Sequence, residues 1–321
     1  MSKTRVLYIS HNHPSVRPGG AEQYALELYE AMRESDRVEP VLVAKAGPPI
    51  SSTTQHHAGT IFSRVGSDPN QIFAHTDGST YDWLLGSSQQ KELYTQHFRD
   101  LLLALQPEVV HFQHTLFFGY DMVRLVRRTL PDIPIVYTLH EFLPICHRDG
   151  QMVRTVDETR CLEPSPRRCH ECFPDISPQT FFMRKRLIQS HLLMVDRFIA
   201  PSRFLLERYV DWGIPRERIM FEEYGRLLPP DRTSVDRDGA EECRRDRFGY
   251  FGQLNRFKGV TVALEAMGIV SERADPDFFD LSALPHLWVH GANLEIQPSA
   301  FQRAFNDLLE RTSGVVTYAG P

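Results

Sequence analysis

Three groups of residues in this 321-residue chain are of types and spacings that could do chemistry. The first is Pro18-Gly19-Gly20-Ala21-Glu22, which closes a loop between an apolar run and a helical pattern. Adjacent glycines permit positive φ and let a ligand approach the backbone closely. The N–H groups and the positive end of the following helix would then meet an anion, a phosphate above all. A plain tight turn into the helix is the alternative. The loop is neither a Gly-x-Gly-x-x-Gly fingerprint nor a Walker loop. The second group, Phe251-Gly252-Gln253-Leu254-Asn255-Arg256-Phe257-Lys258-Gly259, has the same placement between a strand and a helix. Arg256 as a fork and Lys258 as a point charge could neutralise a diphosphate, unless both simply face solvent.

The third group is cysteine. Four of the five cysteines, Cys146, Cys161, Cys169 and Cys172, follow the pattern C-x14-C-x7-C-x2-C. In a chain without a secretion signal, stable disulfides are disfavoured, and four thiolates ending in C-x-x-C suit a tetrahedral structural zinc. Free thiols and a disulfide stay open, as does replacement of one ligand by His147 or His170. Residues 142–177 are rich in Pro and Arg and poor in apolar side chains, so a cross-link is the expected source of their order. Cys243 stands apart and reads as an ordinary thiol.

The elements that must position these residues alternate. Val6–Ser10, Pro40–Ala44, Val109–Phe112, Ile133–Leu139 and Arg197–Ala200 read as strands. Ala21–Arg33, Lys91–Leu105, Asp121–Arg128, Phe181–Val195 and Phe204–Asp211 read as helices. Residues 49–88 read as a polar region. Continuous apolar strands between helices argue for a parallel sheet covered on both faces. The polar, Pro-containing stretch 228–245 reads as a linker. A second alternation follows it: strands Phe248–Phe251, Leu287–His290 and Val315–Tyr318, with helices Val260–Val270 and Pro298–Arg311. Domains are expected at 1–235 and 236–321, the second one incomplete. Two such units facing each other would enclose a nucleotide at the carboxyl ends of their strands.

A net charge of −5 with 41% hydrophobic and 24% charged residues is ordinary for a soluble protein and gives no basis for nucleic-acid binding. No apolar run reaches the roughly 18–20 residues that span a bilayer, so a cytoplasmic protein is expected. Arg184-Lys185-Arg186 could touch an anionic membrane surface, or be a solvated helix face.

Taken in order, Pro18-Gly-Gly-Ala-Glu22, Tyr137-Thr-Leu-His-Glu141, Ala200-Pro-Ser-Arg-Phe204 and Tyr250-Phe-Gly-Gln-Leu-Asn-Arg-Phe-Lys-Gly259 resemble the motifs of glycosyltransferase family 4. The resemblance runs from about residue 4 to the last residue. It implies a retaining, sugar-nucleotide-dependent enzyme with two Rossmann-like domains of the GT-B type, residues 142–177 being an insertion in the first. It further implies that Gly19 and Gly20 lie against the donor diphosphate and that His140 lies beside the reacting sugar. Gly252, Arg256 and Lys258 would bind the leaving diphosphate, with Gln253 standing where the family usually has Arg. His11, His13 and Glu22 fall on the acceptor side. The partners implied are a UDP- or GDP-sugar and a glycan or lipid-linked acceptor, as in cell-surface polysaccharide biosynthesis, with no catalytic metal. The family's Glu-x7-Glu signature late in the second domain is missing. Only Glu22/Glu30 and Glu163/Glu171 have that spacing, so a truncated second domain is expected. A non-catalytic nucleotide- or glycan-binding protein and a sugar-nucleotide epimerase are the rival readings.

Overall fold

Strands without polar alternation have no face to give to water, and here they lie inside a parallel sheet. The computed structural model describes residues 3–47, 61–76, 78–89, 93–227, 246–273 and 284–321. Cys243 and the whole of the expected linker, 228–245, lie outside the described residues. The chain divides into two units, Met1–Leu228 and Pro229–Pro321.

The first unit runs β1 (Thr4–Ser10), α1 (Gly20–Arg33), β2 (Val38–Ala46), β3 (Phe62–Val65), β4 (Asp68–His75) and a small pair, β5 (Tyr81–Asp82) and β6 (Ser87–Ser88). It continues through α2 (Arg99–Leu105), β7 (Val109–Phe112), α3 (Asp121–Thr129), β8 (Ile135–Thr138), α4 (Pro166–Cys172), α5 (Pro178–Leu192), β9 (Arg197–Ala200), α6 (Arg203–Trp212) and β10 (Ile219–Phe221). Eight strands form one sheet in the order β10-β9-β8-β7-β1-β2-β4-β3, parallel except for the edge strand β3. At its centre Leu7 faces Val41 on one side and Val110 on the other, and Ile9 faces Val43 and Phe112. These side chains are buried and form the middle of the core. Chain order reverses direction between β1 and β7, which puts a crevice at the carboxyl ends of those strands.

Local signals account for the helix ends. Ser177 caps α5 by accepting from Thr180 N at 3.1 Å, with Pro178 at the first helical position. Ser202 caps α6 by accepting from Leu205 N at 3.1 Å, and Gly213 ends it at φ 119°. The Ala200-Pro-Ser-Arg-Phe204 motif is thus a strand end and a helix cap.

Three expectations need correction. The stretch 49–88, expected to be merely polar, contains the antiparallel pair β3–β4 at the sheet edge. The expected helix 91–105 is π-helical over Leu93–Phe98 before α2 begins, and Phe98 enters the core between Phe62 and Phe118. Arg184 is buried, donating to Leu143 O at 2.7 Å and Pro144 O at 2.8 Å. It anchors the chain after β8, so a face of three cations is not formed.

In the second unit β11 (Arg247–Phe251), β12 (His286–His290) and β13 (Val316–Gly320) form a parallel sheet in sequence order. The helices α7 (Val260–Arg273) and α8 (Ser299–Arg311) accompany it. Leu254, Val260, Leu264, Val289 and Phe305 are fully buried in its core.

Candidate active site

At the carboxyl ends of β1, β7 and β8 the first unit gathers histidines, carboxylates and amides. His11 follows β1, Gln113 and His114 follow β7, and His140 and Glu141 follow β8. His11 Nε2 lies 3.0 Å from Glu22 Oε1, with both residues more than nine-tenths buried. Burial, and then the neighbouring His114, lower the His11 pKa against the pull of Glu22. Burial works to raise the Glu22 carboxyl, but the hydrogen bond from His11 holds it below its ordinary value. The pair is therefore a neutral imidazole donating Nε2–H to a carboxylate. That leaves the lone pair on His11 Nδ1, which is buried and has no hydrogen-bond partner among the described residues. A carboxylate fixing a histidine tautomer so that the far nitrogen can accept a proton or hydrogen bond is the logic of hydrolase triads.

A second pair lies beside the first. His114 Nδ1 accepts from Leu116 N at 3.0 Å, which places its ring proton on Nε2, 3.4 Å from Glu141 Oε1. The His11 and His114 rings are 4.3 Å apart, and His140 stacks on His114 at 6.4 Å. Glu141 also accepts from Leu143 N, and its carbonyl accepts from Tyr209 at 2.8 Å.

Around His140 each donor meets an acceptor. Thr138 Oγ1 at 2.8 Å and Gln113 Nε2 at 3.2 Å donate to His111 Nε2. His140 Nε2 donates to Gln113 Oε1 at 3.3 Å, and Tyr224 donates to His140 Nδ1 at 2.5 Å. Burial and three neighbouring histidines push the His140 pKa down to about 3, and burial alone takes His111 to about 4. Tyr224 also packs on Tyr24 at 4.5 Å, and Arg226 Nε binds the buried Glu27 at 3.0 Å.

Several expected site residues change their reading. Neither Gly19 nor Gly20 has positive φ: Gly19 is extended at φ −167°. Gly19 is glycine because a Cβ there would collide with the Glu22 carboxylate, while Gly20 has open space around it. The carboxylate thus folds back on the start of α1 and helps to stabilise the helix dipole. His13 is held by Ser15 Oγ at 2.7 Å and Gln71 Oε1 at 3.0 Å, with its ring on Phe73. His11, Glu22 and His140 do come together. Sequence reasoning missed His111, Gln113, His114, Glu141 and Tyr224; a His-x-Gln-His run leaving an apolar strand was the available signal.

In the second unit Asn255 Oδ1 accepts from Phe257 N at 3.0 Å and Lys258 N at 3.1 Å, shaping the turn that presents Arg256 and Lys258. Both cations are exposed, Arg256 against the Phe257 ring at 5.4 Å. Tyr250 donates to Gln253 O at 3.1 Å, and Gly252 N bonds His290 O at 3.1 Å. Gln253 shapes the loop rather than supplying a charge.

The four cysteines line one pocket of about 20 Å³ together with His147. None of them forms a disulfide. His170 is outside it, its Nδ1 bound to Ile176 O at 2.9 Å. Among the described residues no group of three or more Cys, His, Asp or Glu is arranged to hold a metal ion, and no helix is long and apolar enough to cross a membrane.

A parallel α/β unit with its polar cluster at the strand reversal, followed by a smaller parallel unit, defines an α/β protein built on two parallel sheets. Residues 18–221 match the profile of Glycosyltransferase Family 4, and the chain belongs to that family. Its fold is similar to that of Anabaena Alr3699/HepE in complex with UDP, at 14% identity and a TM-score of 0.54 over 99% of this chain and 69% of that one. It is likewise similar to sucrose-phosphate synthase from Thermosynechococcus elongatus, at 13% identity and a TM-score of 0.57 over 99% and 70%. A third likeness, at 12% identity and a TM-score of 0.56 over 99% and 74%, is to an E. coli structure described as trehalose-6-phosphate bound with UDP-2-fluoro glucose. At these identities the likenesses establish the GT-B fold. No curated protein sequence matches the chain significantly.

Proposed function

We propose that the chain transfers a sugar from a nucleotide-sugar donor to a hydroxyl of a glycan or glycolipid acceptor, with retention at the anomeric carbon, in the building of a cell-surface polysaccharide. The observation that carries this is the His11–Glu22 pair at the carboxyl end of β1, with Nδ1 unengaged, inside a family of glycosyltransferases. Sugar hydroxyls need acceptors as well as donors, and a neutral imidazole lone pair receives one. UDP is the favoured donor nucleotide, because two of the similar folds were captured with UDP or a UDP-sugar analogue.

In the reaction the acceptor oxygen bonds to the anomeric carbon as the carbon–oxygen bond to the β-phosphate breaks. The electron pair leaves on the nucleoside diphosphate, which takes the acceptor proton. No protein nucleophile is required. His11 Nδ1 accepts from a hydroxyl of the acceptor next to the attacking one and so orients the acceptor, leaving the attacking hydroxyl's proton directed at the diphosphate. His140, neutral and held by Gln113 and Tyr224, presents a fixed polar ring to the donor sugar. Lys258 and Arg256 receive the diphosphate, and charge developing on a leaving group is where a preorganised donor acts most strongly, typically about 3–4 kcal/mol for one donor. A thermal-shift screen of UDP, GDP and their sugars tests the reading, followed by assay of UDP release with candidate glycan acceptors. We expect UDP to stabilise the wild type and Lys258→Ala to lose most of that shift. Nucleotide sugars that bind but are never turned over with any acceptor or with water would overturn the transferase reading.

A further inference from the structure

The cysteine pocket takes no part in the proposed transfer, yet it is built from three separated stretches of chain. Cys146 opens a turn whose carbonyl accepts from Gly150 N at 3.1 Å. The N–H groups of Arg148 and Met152 are directed at its sulfur. Cys161 leaves the isolated bridge between Val153 and Arg160 and bonds Met152 O through its own N–H at 2.8 Å. Cys169 and Cys172 stand three apart on α4, so they share a helix face. Arg154 joins the bridge segment to α4 through Glu171 at 2.6 Å, and Thr155 Oγ1 donates to Cys172 O at 2.8 Å. Nothing in the proposed reaction requires these contacts to bring four thiols to one pocket.

Asp149, Met152 and Glu158 in this segment have φ of 45°, 52° and 56°, in the left-handed region that non-glycine residues rarely adopt. Among the described residues the four sulfurs are gathered at one pocket but are not drawn into a converged ligand group. A divalent cation would draw them together, because thiolates bind it and give up their protons.

We propose that Cys146, Cys161, Cys169 and Cys172 bind one structural Zn²⁺, which closes the segment 142–177 on itself. The pocket has room for a single small occupant. Four thiolates would complete the tetrahedral shell and leave no open position, so the ion is structural rather than catalytic. Because Leu143 N bonds Glu141, the closed segment also steadies the carboxylate that faces His114. Zinc is chosen over iron–sulfur chemistry because a pocket of about 20 Å³ has room for one ion but not for a cluster.

The test uses the full chain purified under reducing conditions, with elemental analysis and metal exchange. About one zinc per chain is expected. Metal-free protein given Co²⁺ alone should develop the intense visible bands of a tetrahedral thiolate site. Cys169→Ser and Cys161→Ser should each lower zinc content at a fixed chelator concentration at least about tenfold. Should either variant fail to fold, alkylation of the wild type followed by peptide mapping decides. The four cysteines should be protected with zinc bound and modified once a chelator removes it. A folded protein that takes up neither zinc nor Co²⁺ would overturn the proposal, as would iron and sulfide in place of zinc, or disulfides among the four.

Discussion

Protonating His111 would put a charge among Thr138, Gln113 and the Tyr8 ring, with no carboxylate to receive it. Its pKa is about 4 in the folded protein against about 6.5 in an unfolded chain. Above pH 6.5 both states are neutral and the group contributes nothing to the pH dependence. As the pH falls below 6.5 the unfolded chain takes up a proton that the folded one refuses, so stability is lost. The loss from this residue approaches about 3 kcal/mol by pH 4. Urea unfolding of the wild type and His111→Gln between pH 7 and pH 4.5 measures it. The variant should start less stable and lose stability less steeply, by about 1.4 kcal/mol per pH unit below pH 6. Parallel pH profiles would show that His111 is not the buried neutral group described.

At the scale of elements, the loop into α1 depends on which glycine is which. Gly19→Ala drives a methyl group into the Glu22 carboxylate, so either the His11–Glu22 bond or the helix start must give way. Gly20→Ala meets nothing within 4 Å. The first substitution should destabilise by about 1–3 kcal/mol, as loss of a buried charge-assisted hydrogen bond does, and the second by no more than about 0.5 kcal/mol. Chemical denaturation of both variants decides; equal effects would mean that Glu22 does not fold back as described. The same loop shows how far sequence reaches. Strands such as β7 and β9 were legible to the residue, because a buried parallel strand is a continuous apolar run. The β3–β4 hairpin was not, since an edge pair with Pro69 and Asn70 inside it needs no such run. Gly19, His11, Glu22 and His140 were legible as a group only through the order of the family motifs. The contacts that give them their chemistry join residues such as Gln113, His114 and Tyr224 across 27 to 84 positions of chain. No local periodicity records pairing at such distances. His13 is held in the same way by Gln71, 58 positions away, whereas the surroundings of Gly19 are set by Glu22 only three residues on, through a side chain that folds back.

At the scale of the whole molecule, the two units are unequal. The first buries a continuous core from Leu7 to Ile219, whereas the core described in the second rests on nine buried residues. Apolar burial is the main favourable term in folding, so the second unit should be the less stable of the two. Chains with more than one core often unfold in steps, and a ligand raises only the step of the unit that binds it. Trp288 reports on the second unit and Trp83 and Trp212 on the first. Calorimetry should therefore show two transitions, and the lower one should coincide with a fluorescence change that Trp288→Phe removes. UDP at about 100 times its Kd adds about 2.7 kcal/mol to the unit that holds it. If the Arg256–Lys258 turn is the diphosphate site, that gain falls on the lower transition and raises its midpoint by about 10 °C or more. Lys258→Ala should remove the shift yet leave the ligand-free midpoint within about 1 °C, because the side chain is exposed. A shift confined to the upper transition would move the diphosphate to the β1–α1 loop of the first unit, where it would compete with the Glu22 carboxylate for the start of α1.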